Sequence, residues 1–261
     1  MRVKEIMDER HPFIYEDELA TKARAMIRDF ALRILPVADE NKKLLGIVSR
    51  GSVMAISSSV SPIGVKGIMT KSKHAAAVED NAASTVKEMV RLDECYVPVV
   101  NSAQDETYKG VLGLEHFIEA SLKTKPKKLS KPVSEVMSKN VVVCAPDDEV
   151  DNVWRLMQSQ SFAGLPVVKK DRPVGIITQK DMLESGADLP TFESKKGRFR
   201  AASKISSIMK TTVITTKTSA KIREAAELMI SKNIGRIPVK DDKGRLVGIV
   251  DREDVVKLLV R

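Results

Sequence analysis

The sequence predicts an α/β (α+β) chain made of four β-α-β-β-α repeats, and three regularities predict it. An Ile-Met or Val-Met pair recurs at Ile6-Met7, Ile68-Met69, Val136-Met137 and Ile208-Met209. Each methionine is followed 29 residues later by a proline, at Pro36, Pro98, Pro166 and Pro238, inside apolar triplets such as Leu165-Pro166-Val167. A glycine then opens a short apolar run: Gly46-Ile47-Val48, Gly110-Val111-Leu112, Gly175-Ile176-Ile177 and Gly248-Ile249-Val250. The methionines lie 62, 68 and 72 residues apart, so connectors vary in length while the unit does not. Such self-similarity marks a repeat architecture.

The third copy shows each element in order. Val141-Val142-Val143-Cys144 is a short β-rich run closed by Ala145-Pro146-Asp147-Asp148. Proline followed by carboxylates starts a helix, because the first-turn N–H groups favour negative charge. Val150, Val153, Trp154 and Met157 then fall on one helical face. Gly164-Leu165-Pro166-Val167-Val168 follows as a strand whose proline is expected at its start or at a sheet edge. Lys169 to Arg172 forms a tight polar turn into the strand Val174 to Ile177, and a second helix starts near Thr178. The fourth copy repeats the pattern, with Ile222, Ala225, Ala226 and Met229 on its helix face and Gly244 in its hairpin turn. The copies span 1–60, 65–123, 133–186 and 205–261, with basic connectors at 124–132 and 187–204. A unit of about 55 residues has a small core, so pairing between copies is expected.

At 261 residues, with 43% hydrophobic and 30% charged residues, the chain has a globular composition. No apolar stretch approaches the ~18 residues of a membrane span, and the charged N-terminus lacks a signal-peptide apolar region. A cytoplasmic protein without membrane partners is expected. Cys95 and Cys144 sit in apolar strand contexts and read as buried, reduced thiols. His11, His74 and His116 have no neighbours at metal-ligand spacing. The net charge of +9 points to anionic partners without choosing among them. Much of it lies in the connectors, at Lys123, Lys125, Lys127, Lys128 and Lys131, and at Lys195, Lys196, Arg198, Arg200 and Lys204. Such runs read as solvated, self-repelling chain.

The succession Ile-Met, a 29-residue step to Leu-Pro-Val, then Gly-Ile-Ile-Thr-x-x-Asp resembles the cystathionine-β-synthase (CBS) domain. All four copies carry the resemblance, and together they look like a stand-alone four-CBS protein of prokaryotic, archaeal type. It implies two pair modules, 1–123 and 133–261, each packed through its sheets about a pseudo-two-fold axis and assembled in a disc. The assembly is then a monomeric disc or a homodimer. It also implies clefts that bind adenosine-containing ligands such as AMP, ADP, ATP, S-adenosylmethionine or NAD.

In the family, the stretch after the second glycine carries the ribose contact. The third copy keeps it intact as Gly175-Ile176-Ile177-Thr178-Gln179-Lys180-Asp181, and the fourth keeps Asp254 but has Asp251 in the threonine position. The first copy has Ser49-Arg50-Gly51-Ser52 and the second Gly113-Leu114-Glu115-His116, so both lack the carboxylate. Thr178-x-x-Asp181 is equally the pattern of a helix capping box. By the resemblance, Asp181 and Asp254 hold ribose hydroxyls, Thr178 serves as cap and contact, and Lys180 and Arg236 reach phosphate, which suits forked guanidinium donors. Val141, Val142 and Gly164 in the third copy, and Val213 and Ile214 in the fourth, would meet adenine, although ordinary core packing accounts for the aliphatic residues as well.

The expected function is a non-catalytic sensor that binds an adenosine nucleotide or S-adenosylmethionine, mainly in the C-terminal pair, and reports to an effector protein. No catalytic cofactor is expected, since no Walker or Rossmann glycine loop, nucleophile elbow or metal cluster is present in the sequence. The alternative is nucleic-acid binding through the connectors, with Phe192 and Phe199 flanking Lys195, Lys196 and Arg198 as stacking surfaces.

Overall fold

The structure is a computed structural model that describes residues 1–54, 56, 61–124, 126–186 and 203–261. The first copy runs β1 (Ile14–Tyr15), α1 (Ala20–Asp29), β2 (Ile34–Ala38), β3 (Leu44–Ser49) and α2 (Arg50–Met54). The second runs β4 (Ala76–Ala77), α3 (Ala82–Arg91), β5 (Tyr96–Val100), β6 (Tyr108–Gly113) and α4 (Leu114–Lys123). The third has α5 (Val150–Ser159), β7 (Gly164–Lys169), β8 (Arg172–Thr178) and α6 (Gln179–Ser185). The fourth runs β9 (Thr216–Lys217), α7 (Ile222–Ser231), β10 (Arg236–Lys240), β11 (Leu246–Asp251) and α8 (Arg252–Val260).

The recurring proline sets the length of the first strand. Parallel pairing begins one residue past it, at Ile14 with Val37, Ala76 with Val99 and Thr216 with Val239. Proline has no N–H to offer that edge, so the ladder cannot extend towards it. In the third copy only Cys144 bridges Val167, and Val141 to Val143 stay outside the sheet. The β-rich run read there is therefore a single bridge. Pro166 is not at an edge either, because β7 lies between Cys144 and β8. The hairpin turn places Lys170 and Asp171 in consecutive left-handed conformations, the geometry of a tight two-residue turn. Gly244 supplies the positive φ in the fourth copy.

The helix faces follow the periodicity. On α5, Val150, Val153 and Met157 are buried, and on α7, Ile222, Ala225, Ala226 and Met229 are buried. Each large apolar side chain so buried contributes roughly 1.5–3 kcal/mol.

The Ile-Met arms and the strand glycines explain one another across copies. The first arm lies on the second copy, where the Asp8 and Val111 backbones exchange hydrogen bonds. The second arm lies on the first copy through Thr70 and Ile47. The third and fourth arms are exchanged likewise, Ser138 pairing with Ile249 and Lys210 with Ile176. A Cβ at Gly46 would stand 2.5 Å from the Thr70 carbonyl oxygen, and one at Gly248 2.7 Å from Met137 Sδ. Only a bare backbone lets the neighbouring arm approach so closely.

Sheets of the first and second copies meet at Ile34, Ile47, Tyr108 and Val111. The third and fourth meet where Arg236 Nη1 donates to the Gly164 carbonyl and the Leu246 N–H donates to Asp171 O at 2.8 Å. The larger apolar cores run across these pairs. One joins α3 and α4 to α7 and α8, centred on Met89, Ile118, Met229 and Val256. The other joins the first and third copies through Ile27, Val53, Met157 and Met182. These contacts close the four copies into the expected disc.

The first basic connector is not simply solvated chain. Lys127–Ser130 forms a one-turn 3-10 segment that buries Leu129 in the core of the second and fourth copies. Among the described residues, no helix is long and apolar enough to cross a membrane.

Candidate functional site

Residues from all four copies line a central cavity of about 370 Å³, and a second space of about 400 Å³ shares Arg33, Arg50, Tyr96 and Arg236 with it. Arg33, Arg50, Lys180, Lys210, Lys232 and Arg236 face the first space, against the carboxylates of Asp8, Glu115 and Asp181. Charge of one sign between low-dielectric walls concentrates the field, so the cavity favours an anion.

Asp181 is the third residue of α6 and only 5% exposed. Its Oδ2 accepts from the Thr178 N–H at 2.9 Å and from Thr178 Oγ1 at 2.5 Å, while its own N–H donates to Thr178 Oγ1 at 3.2 Å. This is a complete capping box. Its Oδ1 lies 3.1 Å from Lys210 Nζ, a residue of the exchanged fourth arm. Lys180 lies 3.4 Å from Glu184 one turn on. Thr178, Lys180, Asp181 and Arg236 all line the central cavity.

The remaining expected residues lie elsewhere. Val141 lines an outer cleft of about 370 Å³ between the third and fourth copies, with Val143, Val168, Leu246 and Val247. Val142 is 38% exposed. Gly164 is needed for packing, since a Cβ there would stand 2.8 Å from the Ile177 carbonyl oxygen. Val213 and Ile214 are half-buried just before β9, and neither they nor Asp254 line the three cavities above. Asp254 Oδ2 accepts from the Asp251 N–H at 3.0 Å, and the Asp254 N–H returns a bond to Asp251 Oδ1 at 3.0 Å. Burial, then repulsion from Asp251, pushes its carboxyl up to about 7.

The outer cleft differs between the two pairs. Counted from the proline, Val143 corresponds to Phe13, and counted from the strand glycine, Leu246 corresponds to Tyr108. Those rings pack on one another at 5.4 Å between centroids, and Phe13 also meets Tyr15 at 5.3 Å. Aromatic bulk fills the N-terminal counterpart of the cleft that small aliphatic side chains leave open in the C-terminal pair.

Sequence reasoning missed Arg33, Arg50 and Lys210. Arg50 is 5% exposed and, among the described residues, is held by one side-chain bond from Nη2 to the Ala31 carbonyl. Burial, then the nearby Arg33, lowers its pKa to about 10, so it remains a cation at neutral pH. A charge placed directly after an apolar strand was the available signal. Cys95, expected in the core, instead faces the second space. Burial among protein groups still pushes its thiol up to about 11. Among the described residues no group of His, Cys, Asp or Glu could hold a metal ion. Residues 187–202 of the second connector, with Phe192, Lys195, Lys196, Arg198, Phe199 and Arg200, lie outside the described residues, while Lys204 at its end lies 3.7 Å from Asp147 and forms a β-bridge with Glu149.

Four sheet-and-helix copies with exchanged arms around a shared cavity define a tandem CBS architecture. The CBS domain sequence model matches residues 3–59, 133–188 and 205–261, and the chain belongs to this family. Its second copy lies outside those matches but has the same order of elements. The chain is 28% identical over 270 residues to MJ1225 of Methanocaldococcus jannaschii, covering 94% of this chain and 93% of that one. The crystal structure of MJ1225, described as a proposed archaeal homolog of γ-AMPK, superposes with a TM-score of 0.85 at 23% identity over 99% of this chain and 100% of that one. An inosine-5′-monophosphate dehydrogenase of the same organism is 34% identical over 128 residues, which are 49% of this chain and 23% of the enzyme.

Proposed function

We propose that the protein is a non-catalytic regulatory module that binds an adenosine phosphate, directs the phosphates into the central cavity and presents the result to an effector protein. The cationic lining of that cavity carries this reading. It favours AMP, ADP or ATP over S-adenosylmethionine, whose sulfonium adds positive charge to a site already rich in it. The carboxylate of Asp181, at the cavity wall beside the start of α6, supplies the ribose contact, and Thr178 and Arg236 flank it. Arg50 and Arg33 join the phosphate-binding group assigned from sequence to Lys180 and Arg236.

Asp254, Val213 and Ile214 form a second set of contacts in the C-terminal pair, too weak by themselves to hold a further ligand in this reading. Asp254 already has its carboxylate committed to Asp251 and an environment that disfavours its charge. The open outer cleft at Val141 supports placing ligand binding in the C-terminal pair, because the N-terminal counterpart is filled by Phe13 and Tyr108. Regulation follows if ligand binds two arrangements of the copies with different affinity. The cavity is suited to this, since its walls come from separate copies.

The test is a melting screen with AMP, ADP, ATP, NAD and S-adenosylmethionine, followed by calorimetry. Ligand at 100 times its dissociation constant stabilises the fold by roughly 2.7 kcal/mol, a shift of roughly 5–10 °C for a chain of this size. A screen in which S-adenosylmethionine alone shifts the melting point, or in which none of the five does, removes the reading.

A further inference from the structure

The central cavity and the second space beside it are asymmetric in charge, although the copies around them are equivalent in fold. Arg50 and Arg252 occupy the same place, each directly after the last strand of its copy. Both are almost fully buried, at 5% and 6% exposure. Across from them, the residue two places past the end of the preceding strand is Glu115 in the second copy and Lys180 in the third. The fourth copy faces the second, and the first faces the third. Arg252 therefore has a carboxylate at the place where Arg50 has a lysine, and that lysine, Lys180, is paired with Glu184 at 3.4 Å.

The Arg252 half is internally neutralised. Arg252 Nη1 donates to Tyr96 Oη at 2.8 Å, Tyr96 Oη donates to Glu115 Oε1 at 2.6 Å, and Nη1 lies 3.2 Å from Glu115 Oε2. That last approach is a charge contact outside hydrogen-bonding alignment, since Glu115 Oε2 has no hydrogen-bond partner among the described residues. Nη2 donates to Asn233 Oδ1 at 3.2 Å. In the other half Arg50 makes no ion pair among the described residues and donates from Nη2 to the Ala31 carbonyl; the Nε atoms of both arginines lack a partner there, so the ion pair is what distinguishes the halves. Asp181 and Glu184 act on Arg50 through space, but neither pairs with it directly among the described residues. A buried cation without a paired carboxylate is costly, and a bound anion lowers that cost.

We propose that Glu115 is a built-in anion that occupies Arg252, which lines the adjoining second space between the second and fourth copies, so that the chain takes a single polyphosphate-bearing ligand, at Arg50. The inference rests on the adenosine-phosphate reading for the identity of the ligand, but its count of one open and one closed anion pocket stands on the two arginines alone. Glu115 occupies the place of a ligand phosphate towards Arg252. Lys180, in the equivalent place, cannot do so towards Arg50 and leaves that pocket for an external anion.

The experiment is calorimetric titration of the full chain with ATP and, separately, with inorganic tripolyphosphate, for the parent and three variants. The parent takes one equivalent of either. Glu115→Gln keeps hydrogen-bonding groups for Tyr96 and Arg252 but removes the charge, and the stoichiometry rises to two. Adding Arg252→Met to Glu115→Gln returns it to one. Lys180→Glu places a carboxylate opposite Arg50 and lowers affinity for the single equivalent at least tenfold; this variant decides the matter if Glu115→Gln does not fold. Two equivalents in the parent, no tripolyphosphate binding at all, one equivalent in folded Glu115→Gln, or unchanged binding in Lys180→Glu overturns the inference. Should ATP bind no tighter than tripolyphosphate while these counts hold, the adenosine reading fails and the built-in anion stands.

Discussion

Replacing Asp181 by asparagine separates its two roles. Asparagine keeps the shape of the carboxylate and an oxygen to accept the Thr178 N–H, which now reaches Asp181 Oδ2 at 2.9 Å. The ion pair with Lys210 at 3.1 Å is lost, but that lysine side chain is 57% exposed. A pair so open to solvent contributes about 0–1 kcal/mol. The fold should therefore lose no more than roughly 1.5 kcal/mol, or about 3–6 °C in melting temperature. A ribose held by the carboxylate loses a charge-assisted hydrogen bond worth about 1.5–3 kcal/mol, so affinity should fall roughly 10- to 150-fold. ATP titration of parent and Asp181→Asn, with melting curves of both in the absence of ligand, gives the two numbers side by side. Ser52→Ala serves as control, since Ser52 holds the same helix position in the first copy and, among the described residues, hydrogen-bonds there only with Ser49. An Asp181→Asn protein that melts near the parent and binds ATP within threefold of it would refute the ribose assignment and leave Asp181 as a helix cap.

Three further outcomes follow from the packing and the charges. Gly46→Ala should destabilise by about 3 kcal/mol or more and Gly248→Ala by about 1–2, because the first new Cβ meets the Thr70 carbonyl and the second the movable Met137 Sδ; denaturant unfolding midpoints give the order. The Asp254 carboxyl, raised to about 7 in the fold from 3.8, stabilises the protein below about pH 4, and that contribution is lost as pH rises through 7. Asp254→Asn should therefore match the parent near pH 4 and melt progressively higher than it towards pH 8; a constant difference across that range would contradict the assignment. Met229→Ala should cost about 2–5 kcal/mol, because this fully buried side chain sits in the core shared by the second and fourth copies, and unfolding should stay a single transition if the two copies depend on one another.

Much of the fold was legible because its determinants are local. The proline step, the 3.6-residue faces of α5 and α7 and the turn residues each act within a few positions, and the structure places them as read. The capping box at Thr178 and Asp181 is equally local. Val141 to Val143 were misread because β-branched residues favour strands, whereas the proline of the neighbouring strand removed the donor that a longer ladder needs. Cys95 faces the second space because it stands just before β5, and the apolar run Tyr96-Val97 after it does not reveal which way a residue ahead of the ladder faces.

The chain order by itself determines that there are four copies and where their helices begin. It cannot determine whose arm lies on whose sheet, since an Ile-Met arm has the same internal spacing whether it folds back on its own copy or crosses to the next. Only the tertiary structure decides that Met69 meets Gly46 and Met137 meets Gly248. The same holds for the cavity. Arg33, Arg50, Lys180 and Arg236 are scattered single charges in the chain, each compatible with a solvated surface. They become one anion-attracting site because the apolar cores join the first copy to the third and the second to the fourth, which turns the ends of four strands towards a common centre.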